Sequence, residues 1–155
     1  MVEITIRKAT GTDAPALSAL ALRSKAHWGY SAELLSLWSG ELEISPDFIQ
    51  QNPVFVAEIS GRVLGWTAMA VHGEIAELEH MWIEPDQMRK GIGSALFAHV
   101  RQKARSRGVK RFRVVSDPHA VAFYEKLGGT HVGEIASRPQ GRKLPVLEIP
   151  MHEDR

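Results

Sequence analysis

Residues 2–8 alternate apolar and polar side chains, the pattern of a strand with one buried face. From Thr12 the period changes. Ala14, Leu17, Leu20 and Ala21 recur at helical spacing, and the Thr12 hydroxyl is placed to cap that helix. Ser31 is placed to cap a second helix, which carries Leu34, Leu35 and Trp38. The runs PVFVAEIS (53–60) and RVLGWTAMAV (62–71) flank Ser60-Gly61 and predict a hairpin, with a third strand of the meander over 75–84. Residues 91–107 give an amphipathic helix with Leu96, Phe97, Val100 and Ala104 on one side and Arg101, Lys103 and Arg107 on the other. Gly108 ends it. A strand over 110–116, a short helix over 118–127 and two strands over 131–136 and 144–151 complete the chain.

This order predicts an α/β (α+β) domain spanning residues 1–155. Its core would be a mixed, mostly antiparallel sheet of about seven strands, with one parallel pair and about four flanking helices. A length of 155 residues suffices for one core, and 44% hydrophobic with 24% charged residues is ordinary for a globular chain. A net charge of +1 supplies no basic face for nucleic acid. The absence of cysteine excludes disulfides, thiolate metal sites and cysteine nucleophiles. No apolar run approaches the roughly 20 residues that cross a bilayer, and the N-terminus lacks a signal peptide's apolar block, so a cytoplasmic protein is expected. His72, His80, His119 and His131 are scattered without metal-ligand spacing, so no metal is expected and His80 is read as structural.

Two stretches carry chemistry. Met88, Arg89, Lys90, Gly91, Ile92, Gly93 and Ser94 join a strand to the strongest helix. Two glycines permit a tight turn that exposes helix N-terminal amides, and two cations lie beside them; that combination suits a pyrophosphate. The loop has neither the lysine–hydroxyl ending of a Walker loop nor the third glycine of a dinucleotide fingerprint. In ELEHMWIE (77–84), Leu78, Met81 and Ile83 share a face only if one extra residue enters near Glu79 and His80, as a β-bulge. The amide freed there could hold a thioester oxygen, and Glu77 and Glu79 then lie opposite Leu78, with Trp82.

With these stretches in place, the chain resembles the GNAT superfamily of acyl-CoA-dependent N-acyltransferases. EHMWIEP (79–85) running into RKGIGSAL (89–96) looks like that family's signature strand, loop and helix. DPHAVAFYEKLG (117–128) looks like its second signature, usually Asn-Pro-x-Ala-x-x-Phe-Tyr-x-x-x-Gly. Two departures stand out: Met88 where Arg or Gln is usual, and Asp117 for Asn. The resemblance implies acetyl-CoA as acyl donor, lying where two parallel strands splay apart, near 81–83 and 114–116. The backbone of Met81 and Ile83 would pair with the pantetheine arm. Trp82, the loop 88–94, Ser116, Asp117, Ala120, Phe123 and Tyr124 complete the implied cofactor set, with Phe123 read mainly as core and Tyr124 near the sulfur.

Acetyl transfer needs a neutral amine, whereas a lysine-like amine has a pKa of about 10. A carboxylate must take that proton, and Glu79 is the first candidate, Glu77 the second. Tyr124 is the candidate acid for the departing thiolate. Between the first two helices, KAHWGY (25–30) holds His27, Trp28 and Tyr30, an expected wall for the acceptor, and Arg138 and Arg142 are expected at its rim. This favours an amino acid or small acidic amine over a polycation such as spermidine, with a peptide or protein amine as the alternative acceptor. A homodimer is compatible with the reading. Two rivals, a catalytically silent acyl-CoA-binding module and a nucleotide-binding regulator, rank lower. The first is disfavoured because Glu79 and Tyr124 are present, the second because a magnesium-binding hydroxyl is missing.

Overall fold

The computed structural model describes residues 3–137 and 142–151. Seven strands form one mixed sheet in the order β1-β2-β3-β4-β5-β7-β6. They are β1 (Thr5–Lys8), β2 (Val54–Ile59), β3 (Arg62–His72), β4 (Ile75–Ile83), β5 (Arg111–Val115), β6 (Thr130–Ser137) and β7 (Arg142–Pro150). The helices among the described residues are α1 (Ala14–Ala26), α2 (Ala32–Leu42), α3 (Pro46–Gln51), α4 (Ile92–Arg105) and α5 (Val121–Lys126). The contacts divide the chain into two compact units, Met1–Met69 with His80–Val100 and Ala70–Glu79 with Arg101–Arg155.

In the first unit, β1 and β3 flank β2 antiparallel. Ser60 (φ 50°) and Gly61 (φ 82°) are both left-handed, the geometry that a two-residue hairpin requires, and Ile59 faces Arg62 across the turn. Leu64 is an extra residue on β3, because Ala57 pairs with Gly65 and Glu58 with Val63. Leu17, Leu20 and Ala21 of α1 and Trp38 of α2 are buried with Ile49 of α3 and with Val54, Val56, Trp66 and Ala68 of the strands. Each fully buried leucine contributes roughly 1.5–3 kcal/mol. The indole of Trp66 donates to the Leu17 carbonyl at 2.9 Å, which satisfies the polar atom of a fully buried side chain.

Ser31 caps α2 as expected, accepting from the Leu34 amide. The cap before α1 lies elsewhere. Thr10, not Thr12, precedes a 3-10 turn over Gly11–Asp13, and the Asp13 carboxylate accepts from the Thr10 amide at 2.8 Å. Arg7 donates to both Asp13 oxygens at 2.9 Å, and this pairing first of all holds the carboxyl below its ordinary range. The sequence reading also omitted α3, a helix of six residues capped by Ser45.

In the second unit, β4 runs parallel to β5 with Ile75, Ala76 and Glu77 opposite Arg111, Phe112 and Arg113. β7 continues the rows antiparallel, setting Ile149 beside Phe112 and Glu148 beside Arg113. Ala76, Phe112, Val114, Leu147 and Ile149 are buried. The outermost strand, β6, is exposed from Thr130 to Ala136 and carries a bulge between His131 and Gly133. Its Val132 and Ile135 are exposed apolar side chains, and the His131 ring lies 2.8 Å from the Gly133 carbonyl.

Gly65 tests the packing of the first unit. A Cβ there would lie 2.8 Å from Ile83 Cδ1 and 2.9 Å from the Trp82 carbonyl oxygen, so a backbone would have to move. Gly65→Ala is expected to lower unfolding stability by about 1–3 kcal/mol, read from denaturant midpoints. An unchanged midpoint would show that β3 and β4 are not packed this closely.

Candidate active site

Two arginine pairs hold the approach to the loop 88–94. Arg23 of α1 donates to both oxygens of Glu84 at 2.8 Å, and Arg62 donates to both oxygens of Asp86 at 3.0 and 2.9 Å. The chain then turns left-handed twice, at Arg89 (φ 65°) and Gly91 (φ 83°). Left-handed geometry is cheap for glycine but strained for arginine, and such strain concentrates where backbone groups are held for a purpose. Turns of this kind around Lys90 bring successive amides towards an anion. Arg89, Lys90, Gly91 and Ser94 are exposed, while Ile92 and Gly93 are buried in the first turn of α4. Arg89 and Lys90 thus lie exposed in a left-handed turn directly before α4.

Just before the loop, β4 enters an aromatic layer. The His80 ring stands 4.8 Å from Trp66 and 5.9 Å from Phe48, and its Nδ1 accepts from the Trp82 indole at 3.0 Å. Thr67 donates to the His80 carbonyl at 2.7 Å. Burial pushes the imidazole down to about 4, so it is neutral at pH 7 and suits the structural role expected of it. Trp82 packs on the same core, and Met81 and Ile83 are half-buried.

The expected acceptor wall is partly committed to packing. Tyr30 meets Trp38 edge-on at 4.9 Å, and the buried Lys25 ammonium sits 5.0 Å from the Tyr30 ring and 4.7 Å from Trp38. Such contacts give a buried ammonium a favourable partner, a role the sequence reading did not foresee for Lys25. Trp28 is half-buried against His27 at 4.9 Å.

In the second unit, Leu78 is buried, Glu77 is half-buried and Glu79 is exposed, so the two glutamates lie opposite Leu78. They differ in surroundings. Glu77 accepts from Arg113 Nη1 at 3.2 and 3.4 Å. Glu79 is raised above the ordinary carboxylate range, first by lost hydration and then by the charge of Glu77, with His72 opposing. Arg113 was not singled out from sequence. Its alternation with Phe112 and Val114 was visible, but only the strand register sets it against Glu77.

Phe123, expected mainly in the core, is only half-buried, and the buried ring of the pair is Tyr124. The two rings lie 5.0 Å apart, and a 3-10 turn at Pro118–Ala120 precedes α5. Burial first, and the charge of Asp117 second, raise the Tyr124 phenol well above its usual range. Asp117 accepts from the His119 amide at 2.9 Å and faces its ring at 2.8 Å, so the carboxylate does the capping that an asparagine would do. Ser116 is buried and its amide donates to the Pro145 carbonyl, while Ala120 is half-buried. Arg142 lies 3.8 Å from Asp117, and Arg138 lies outside the described residues.

The model of the acetyltransferase (GNAT) family matches residues 20–129, most of the chain. The chain belongs to this family, one of acyl-CoA-dependent N-acyltransferases. This GNAT chain is 30% identical over 88 residues to an uncharacterised N-acetyltransferase of Methanocaldococcus jannaschii; the match spans 50% of the chain and 39% of that relative. Its fold is similar to the PaiA N-acetyltransferase of Thermoplasma acidophilum in complex with coenzyme A (TM-score 0.77, 19% identity, covering 96% of this chain and 99% of that one). It is also similar to the ribosomal-protein-S18-alanine N-acetyltransferase of Escherichia coli (TM-score 0.72, 21% identity, 99% and 97% covered).

Neutral His80 makes the GNAT fold acid-sensitive. Between about pH 6.5 and 4 the unfolded chain binds a proton that folded His80 refuses, so stability falls as pH falls through that window. The loss amounts to on the order of 3 kcal/mol. Denaturant midpoints should drop between pH 7 and 4.5 in wild type and drop less in His80→Asn. Parallel curves for the two proteins would rule out His80 as the source.

Proposed function

We propose that this GNAT protein transfers the acetyl group of acetyl-CoA to the primary amine of a small molecule. The observation that carries the reading is the pair of left-handed residues, Arg89 and Gly91, around Lys90 at the start of α4. Amides of the loop would hold the pyrophosphate, with Arg89 and Lys90 neutralising its charge. The backbone of Met81 and Ile83 would pair with the pantetheine arm.

The reaction is direct attack. Glu79 removes a proton from the acceptor ammonium, directly or through water, and the freed nitrogen lone pair attacks the thioester carbonyl carbon. An amide freed by a bulge near Glu79 and His80 would receive the carbonyl oxygen's developing charge. The C–N bond forms, the C–S bond breaks and Tyr124 protonates the sulfur; the nitrogen then gives up its second proton, which restores the Tyr124 phenol through solvent, and Glu79 passes its own proton to water. Glu79 is a stronger base than an ordinary carboxylate, first because it loses hydration and then because Glu77 stands near it. Tyr124 keeps its proton throughout the working pH range, so the donor is always in its active form. Holding amine and thioester together supplies much of the remaining acceleration.

For the acceptor, the half-buried aromatic segment around Trp28 and Tyr30 favours a small molecule. A basic rim gains less support, since Arg142 faces Asp117.

Gly93→Asp places bulk and negative charge in the first turn of α4. It is expected to abolish the thermal stabilisation that acetyl-CoA gives wild type; equal shifts in both proteins would remove the loop from the mechanism. Tyr124→Phe is expected to lower kcat in a thiol-release assay by about 10–100-fold while changing the KM for acetyl-CoA less than threefold. Full turnover in that variant would leave sulfur protonation to water.

A further inference from the structure

The face of the second unit that carries Glu77 presents a row of charges across three strands. Strand register places Glu77, Arg113 and Glu148 side by side on β4, β5 and β7. Arg113 donates to Glu77 at 3.2 and 3.4 Å, while Glu148 faces the Arg111 guanidinium at 3.5 Å. Each glutamate in the row thus has its own arginine. Glu79, two residues beyond Glu77 on the same strand, extends this face past the end of the row. The nearby charged or titratable groups that act on it are Glu77 on its own strand and His72 on β3. Arg113 and Arg111 on β5 and Glu148 on β7 make up the neighbouring row.

We propose that Arg113 is a positioning residue for acetyl transfer: it binds Glu77 as a carboxylate turned towards β5 and so leaves Glu79 as the glutamate that takes the acceptor's proton. The inference rests on the reading of this site as an acetyltransferase with a carboxylate base, and it decides between two glutamates that the sequence leaves open.

The physical reasoning is electrostatic. Both Glu77 oxygens are engaged by Arg113 Nη1, at 3.2 and 3.4 Å, so this carboxylate is already occupied by a guanidinium of β5, whereas Glu79 lies beyond the paired residues. Arg113 does not cancel Glu77 at every distance. The Glu77 charge still reaches Glu79 and raises it, and the contact with Arg113 fixes where that charge sits. Removing the arginine exposes Glu79 to the full charge of Glu77. Removing the Glu77 charge relieves Glu79. The two substitutions must therefore move Glu79 in opposite directions.

The test is the pH profile of kcat/KM for the amine, measured on the full chain with acetyl-CoA saturating. In wild type the acid limb reports the base. Arg113→Gln is expected to move that limb up by about 0.5–1 pH unit, and Glu77→Gln to move it down by about the same amount. The double variant should lie with Glu77→Gln, because without Glu77 there is no carboxylate left for Arg113 to hold. Arg113→Lys, which keeps the charge, should return the limb close to wild type; it also serves if Arg113→Gln folds poorly. Opposite shifts with lysine rescue would support the proposal. Shifts of the same sign, or no shift, would overturn it, since a structural role gives no reason for opposite signs. Glu79→Gln separates the two levels. If it abolishes the limb while Arg113 and Glu77 variants leave the limb in place, only the positioning role fails. If Glu79→Gln retains the limb, the base assignment fails and the inference with it.

Discussion

Helix α4 begins where it does because the backbone turns left-handed at Arg89 and again at Gly91. A helix start leaves amides without intrahelical acceptors, and a loop of this shape directs such amides outward. The same turn delivers Ile92 at once into the core, and Leu96, Phe97, Val100 and Ala104 follow it at helical spacing. One stretch of backbone thus both turns left-handed beside the exposed Arg89 and Lys90 and anchors a buried helix.

The two glutamates of β4 illustrate how equal residues acquire unequal chemistry. Strand alternation gives Glu77 and Glu79 the same orientation, but the parallel pairing with β5 is recorded only over Ile75, Ala76 and Glu77. Glu77 therefore meets Arg113, and Glu79 lies beyond the paired residues. A comparable economy operates at Asp117. Its carboxylate caps the turn before α5, faces Arg142 and raises the neighbouring phenol of Tyr124. In both places the strands and turns assign the electrostatics of the side chains.

What was legible in the sequence follows the range of the interactions. The Ser60-Gly61 hairpin and the buried stripe of α4 are set by neighbours, and they appear where the pattern put them. The short helix α3 was not legible, because six residues hold too little periodicity and Ile49 is their one fully buried side chain. Thr12 looked like a cap because the competing carboxylate of Asp13, fixed by Arg7 from β1, could not be anticipated. Phe123 was read as core, but a 3-10 turn precedes α5 and it is Tyr124 that is buried. Of the site, the loop and the family's second signature could be read directly. Arg113 could not, since its partner is 36 residues away and only register joins them.

The last strand added to the sheet brings a liability. β6 is exposed along nearly its whole length and includes the apolar Val132 and Ile135, so it resembles the strands that recruit other chains into aggregates. Its bulge interrupts the regular spacing a recruited strand would have to match, and the His131 ring occupies a carbonyl within the same stretch. Smoothing the bulge by deleting one residue would make the strand more regular and, by the same token, more adhesive. Solubility at high concentration would then be lost before the fold itself was harmed.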